Sequence, residues 1–329
     1  MGETLVTGST AGPRGHAWAL LRKSGFFLHP ALVAAVVWPA LAEAHPDTWH
    51  TIELLSTQIA TGDRRAPLFY ARGTEYRTLE KWAEAEQDFR ECLAQDTGFF
   101  PARKDLAMVM LSAGRPGEAA VAAHEAVAAG AGRPAASLAP AWANVARVER
   151  ARERWAEVLA ATDEALRLAP RGEVDWFLLR EEAFRAQGRL ADAVADLARG
   201  ERLLRSSLLR SAWLDALLEA GRASETLAPI EAALAETRHQ APWLIRRARA
   251  RARQGDMAAA QADWTAALAE LESRLVPEDP DPTLLVQKGL ALAGLGRRGD
   301  AAAALQAARA ILPEPALLAP LARELARPQ

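Results

Sequence analysis

Cysteine is almost missing: Cys92 stands alone in 329 residues. One thiol excludes an internal disulfide framework and any cysteine-rich zinc site. A surplus of either charge is missing too. Forty lysines and arginines face 42 aspartates and glutamates, for a formal charge of −2, so no global field draws nucleic acid. Tyrosine occurs twice and aromatics make up 6%, too few to interleave with basic residues as a base-stacking surface requires. β-Branched residues are sparse, which disfavours sheet. No phosphate loop, dinucleotide-binding glycine fingerprint or nucleophile elbow is read from the chain. No nucleophile, base and orienting group come together, so the reading is of a protein that is not an enzyme and carries no cofactor.

What is present is helix-forming. Half the residues are hydrophobic, and alanine, leucine, arginine and glutamate dominate. The length suits two ordinary domains or one long repeat array.

Residues 1–44 read as an address. Arg14, Arg22 and Lys23 precede an apolar run over residues 31–42, broken by Pro39. Its twelve residues are short for a membrane span and suit a signal-peptide core. Ala40-x-Ala42 and Ala42-x-Ala44 have the small-x-small form of a cleavage site, and cleavage after Ala44 is expected. The alternative is an uncleaved anchor over residues 26–42, the only route by which this chain would touch a membrane. No cysteine lies nearby for lipidation, and Arg14 and Arg22 are not a twin-arginine pair. The arginine-rich, alanine-rich style suggests a bacterium, hence a periplasmic protein or one anchored in the inner membrane and facing the periplasm. A new N-terminal His45 with His50 nearby has some of the donors of a copper site, but no second rigidly placed histidine supports it, and no metal is expected.

The rest of the chain repeats. A break, usually glycine, is followed five residues later by a small residue. Gly114-Arg-Pro-Gly-Glu-Ala119, Gly188-Arg-Leu-Ala-Asp-Ala193, Gly255-Asp-Met-Ala-Ala-Ala260 and Gly296-Arg-Arg-Gly-Asp-Ala301 are clear copies. Copies ending at Ala85, Val158 and Thr226 are degenerate. The seven anchors lie 34, 39, 35, 33, 34 and 41 residues apart. Within a unit, Phe69, Gly73 and Tyr76 share one helical face, and Ala85, Phe89 and Cys92 share another. Each unit is therefore two amphipathic helices around a tight break. A lone pair cannot bury its apolar face, so the units must stack.

Phe69-x3-Gly73-x2-Tyr76 followed by Ala85, Phe89 and Cys92 resembles the tetratricopeptide repeat family. Gly289, Ala301, Leu305, Ala308 and Pro313 resemble it again in the last unit, and Trp142, Ala165 and Pro170 do so in the third. The second and fifth units are weaker, with Ala123 in a large-residue slot and Thr226 in an alanine slot. The resemblance implies an all-α, right-handed superhelical solenoid of about seven helix-turn-helix repeats over residues 66–313. An N-terminal cap helix would occupy residues 45–65 and a C-terminal one residues 314–329. Residues 130–140 and 275–282, rich in proline, are expected to be lengthened loops.

In that family the first helix of each repeat lines a concave face that holds a peptide or partner helix. Phasing this sequence onto it points Tyr70, Thr74, Arg77, Lys104, Met108, Arg147, Arg150, Glu182, Arg185, Asp215, Glu219, Arg249 and Arg253 into the groove. Arginine forks suit carboxylates, so the groove is expected to bind a protein or peptide through an acidic segment or a C-terminal carboxylate. The expected partner residues are Tyr70, Arg77, Lys104, Arg147, Arg150, Arg185, Arg249 and Arg253. The competing reading spends these arginines on neighbouring glutamates. Lys104 alone resembles the lysine and asparagine set of the family's carboxylate-binding version. An envelope scaffold is the first expectation. An accessory carrier or polysaccharide-binding component is the alternative, with Tyr70 the sole groove aromatic for a sugar. His124 and His239 read as isolated, Cys92 as inert, and the acidic residues as solvated.

Overall fold

The structure, a computed structural model, describes residues 46–313 and 315–326. The signal-peptide reading of residues 1–44 and the His45 copper question lie outside the described residues. All sixteen elements longer than one turn are α-helices, and no strand occurs among the described residues. No helix among them is long and apolar enough to cross a membrane. They form two compact units divided after Pro170.

The first unit opens with α1 (Pro46–Ala60), whose Ile52 is buried. Three helical hairpins follow: α2 (Ala66–Thr78) with α3 (Trp82–Gln95), α4 (Phe100–Ser112) with α5 (Pro116–Ala129), and α6 (Ala135–Ala151) with α7 (Trp155–Leu168). The second unit has four. These are α8 (Val174–Ala186) with α9 (Leu190–Leu204), α10 (Ser207–Glu219) with α11 (Leu227–Glu236), α12 (Ala241–Arg253) with α13 (Met257–Arg274), and α14 (Pro282–Gly294) with α15 (Arg298–Ile311). Helix α16 (Pro315–Ala326) packs on α14 and α15 through Leu318 and Leu321. Each unit is an all-α stack of repeated hairpins, the arrangement of an α-solenoid.

All seven hairpin turns close the same way. The second residue after the first helix takes a left-handed conformation: Gly114, Gly188, Gly221, Gly255 and Gly296 have φ between 70° and 86°. Its N–H and the next one fold back onto the helix. At the second hairpin Gly114 donates to the Leu111 carbonyl at 3.0 Å and Arg115 to the Met110 carbonyl at 3.0 Å. This is the Schellman closure, which satisfies two carbonyls that the helix end would orphan. Glu80 and Glu153, both at φ 57°, hold the same position in the two hairpins that lack glycine. Five residues on, the anchors Ala85, Ala119, Val158, Ala193, Thr226, Ala260 and Ala301 are all fully buried. Only a small side chain lets the paired helices approach there. Thr226 fits because its hydroxyl donates to the Ala223 carbonyl at 2.8 Å, and the helix start tightens to a 3₁₀ turn over Ala223–Thr226.

Four expectations need correction. Residues 135–140 are not loop: α6 begins at Ala135 and carries Pro140 inside it. Pro140 is the sixth residue of the helix, where its missing N–H removes one ladder hydrogen bond, but the alanines around it favour helix enough to carry that cost. Leu138, thereby placed on a helix, packs against Gly130. The letters Gly294-Leu-Gly296-Arg-Arg-Gly299 do spell a dinucleotide fingerprint, but they form the turn between α14 and α15. No strand precedes them, so they build no phosphate cradle. The histidines are not isolated, since His124 lies 3.6 Å from Glu149 and His239 3.8 Å from Glu270. Finally, several carboxylates are not solvated. Asp88, Asp105, Glu149 and Asp263 are buried, each against one or more arginines or a lysine.

Candidate functional site

The first helices of each unit carry a cluster of polar groups centred on one carboxylate. In the first unit the focus is Asp105 on α4, only 6% exposed. Tyr70 on α2 donates its hydroxyl to Asp105 Oδ2 at 2.9 Å. Arg77 and Lys104 both come within 3.4 Å of the same carboxylate. The Tyr70 ring lies 5.6 Å from Phe89 and 5.1 Å from Phe99. Burial and the Asp105 charge push the Tyr70 phenol up to about 12, so it stays a neutral donor at ordinary pH. One repeat on, Asn144 donates to the Lys104 carbonyl at 3.3 Å, and Arg147 donates to Asn144 Oδ1 at 2.6 Å. Arg150, one turn further along α6, is exposed. The structure thus gathers Tyr70, Arg77 and Lys104 around an acid that sequence reasoning passed over.

In the second unit the first helices α8, α10, α12 and α14, together with α16, line a cavity of about 420 Å³. Asp215 is its centre, with Arg246 at 2.7 Å and Arg249 at 3.0 Å. Arg185 pairs with Glu219 and Glu181. A third of the Asp215 side chain remains open to solvent although protein crowds it closely. Burial raises its pKa, but the Arg246 and Arg249 charges outweigh that and hold it below the usual carboxylate range. Arg253 sits at the exposed end of α12 and does not line the cavity. The other walls are apolar, with Leu208, Ile245, Leu290, Leu317 and Pro320 among them.

The arginine run over residues 246–253 divides between two tasks. Arg246 and Arg249, three apart, face Asp215, whereas Arg247 and Arg251, four apart, grip Asp263 on α13 at 2.7 and 3.0 Å. Sequence reasoning missed Leu290 and Val286, yet a signal existed. Leu290 lies 41 residues after Arg249, the same offset that separates the anchors Ala260 and Ala301. The groove register therefore passes through it.

Among the described residues no group of three or more histidines, cysteines or carboxylates could hold a metal. Cys92 is fully buried, and its thiol is pushed up to about 11 by burial and by Asp96, away from nucleophilic character.

A solved structure carries the same architecture. A tetratricopeptide repeat protein from Parabacteroides merdae is 14% identical, with a TM-score of 0.56 over 80% of this chain and 99% of its own. The chain has the tetratricopeptide repeat (TPR) fold. The C-terminal part of a TPR repeat-containing protein from Cytophaga hutchinsonii is 12% identical, with a TM-score of 0.45 over 86% of this chain and 98% of its own. No family model matches the chain, and no curated protein matches it. In TPR terms, Asp105, Asp215 and the arginines around them all belong to first helices.

Proposed function

We propose that this chain is a non-catalytic binding scaffold that seats a segment of another protein on the first-helix face of its TPR repeats. We place it in the bacterial envelope on the strength of residues 1–44. The observation that carries the reading is the uncovered cavity of about 420 Å³ in the second unit, lined by first helices only apart from α16. The cavity sets arginines and carboxylates beside apolar walls, a mixture that a protein segment can answer with both kinds of contact.

The charges are largely matched from within. Arg77, Lys104, Arg185 and Arg249 each meet a carboxylate of this chain. An acidic partner segment therefore shares these cations with Asp105 and Asp215 rather than finding them bare. A guanidinium has five donors, so sharing is chemically open. A sugar platform is less favoured, because the Tyr70 ring is already packed against Phe89 and Phe99.

The test is affinity capture from an envelope extract with the native chain and with the Arg77→Glu/Arg150→Glu variant. A partner held by the first and lost by the second, with helical content and melting unchanged, supports the reading. A partner held equally by both moves the site off this face in the first unit.

A further inference from the structure

The cavity of the second unit has two chemically different walls, and its polar wall is not fully satisfied. Asp215 is answered by Arg246 and Arg249, and Glu219 by Arg185. Three groups remain over. Arg249 Nε is buried without a hydrogen-bond partner, and so is Gln287 Oε1 on α14. Arg323 on α16 lines the same cavity, is exposed, and makes no hydrogen bond or ion pair among the described residues. Buried polar atoms in native proteins are normally paired, so unpaired ones call for an account. Across from them Leu208 is 56% exposed, and Leu290, Leu317 and Pro320 continue the apolar surface.

Each leftover asks for a different chemical group. The donors of Arg249 and Arg323 ask for a carbonyl or carboxylate. The Gln287 acceptor asks for an N–H. The leucine wall asks for an apolar group. A fatty acid offers no N–H and a polyanion offers no apolar group. A short stretch of extended polypeptide offers all three, since every residue brings a carbonyl and an N–H, and side chains alternate in direction. The volume lies near the lower end of that of small-ligand clefts, room for a side chain or two.

We propose that this cavity is an anchor site for one large aliphatic side chain of an extended partner segment. Arg249 and Gln287 read the backbone amides beside that side chain, and a carboxylate within two residues of it lands on Arg323. The inference rests on the scaffold reading above and narrows it from an acidic partner to an aliphatic–acidic one.

The experiment pans a phage-displayed library of random twelve-residue peptides against the full chain. Enriched peptides are then measured on the native protein and on Leu290→Asp, Arg323→Glu and Arg77→Glu, each checked for native melting. The expected peptides share an aliphatic position with an aspartate or glutamate within two residues. Leu290→Asp weakens them by tenfold or more, the loss of one buried aliphatic contact. Arg323→Glu weakens them severalfold, and high salt removes that difference. The exposed Arg323 keeps the test alive if Leu290→Asp does not fold. Peptides that ignore both changes but fail on Arg77→Glu overturn the anchor site and leave the scaffold reading standing. Purely acidic peptides indifferent to Leu290→Asp overturn the apolar anchor. No enrichment at all overturns both readings.

Discussion

A single backbone position explains much of the pattern in this chain. The second residue beyond each first helix must enter the left-handed region, where a Cβ costs about 1–2 kcal/mol. Five turns use glycine there, and two use Glu80 and Glu153 at φ 57°. Both glutamates are exposed, and neither side chain makes a hydrogen bond or ion pair among the described residues. Glu153→Gly is therefore expected to raise stability by about 1 kcal/mol after the extra entropy of the unfolded chain is counted. Urea denaturation with an unchanged slope checks it. Gly188→Ala at φ 70° should move stability by a similar amount in the opposite direction.

At the scale of the hairpin, a second rule appears that the raw letters hide. Arg72 pairs with Asp88, Arg180 with Asp196 and Arg247 with Asp263, all at 2.7 Å and all sixteen residues apart. The spacing joins one face of a first helix to one face of its second. In the second hairpin the same two places hold Leu106 and Ala122, both buried. The chain thus solves one packing problem with either an ion pair or an apolar contact. Asp263→Ala leaves a buried gap and leaves Arg247 and Arg251 only the more exposed Glu231, at 2.8 and 3.9 Å, and is expected to cost about 2 kcal/mol. Adding Arg247→Leu should restore part of that loss, because the neutral pair imitates Leu106 and Ala122. A double-mutant cycle by chemical denaturation measures the coupling.

Hairpins were legible in the sequence because their causes are local. A left-handed turn selects glycine and a close helix approach selects alanine, so break and anchor recur in the letters themselves. The paired arginines were not legible. Arg249 meets Asp215 from 34 residues away and Tyr70 meets Asp105 from 35. Those partners are set by how successive hairpins stack, which no single repeat records. Pro140 misled for the reverse reason: a local breaker was overruled by the helix forming around it.

For the molecule as a whole, the carboxylates set the acid limit. Asp215 is held low against burial by Arg246 and Arg249, and Glu86 against burial by Arg115 and Arg90. A depressed folded pKa contributes stability that is complete above the unfolded value and lost as pH falls through the folded one. Melting temperature is therefore expected to stay level above about pH 5 and to fall steeply below about pH 4. Asp215→Asn should be less stable at neutral pH, with two arginines left facing each other, and should show a shallower acid limb. An acid limb as steep as that of the native protein would remove Asp215 from the account.

The claim that matters most is that the first-helix face does the binding. Site-specific photo-crosslinking in the living cell tests it directly. A photoreactive phenylalanine replaces Arg150 or Leu208 on first helices, or Val121 or Leu203 on exposed parts of second helices, where they are 61% and 42% open. The account predicts a partner adduct from positions 150 and 208 and none from 121 and 203. Adducts from 121 or 203 with none from 150 and 208 would contradict it.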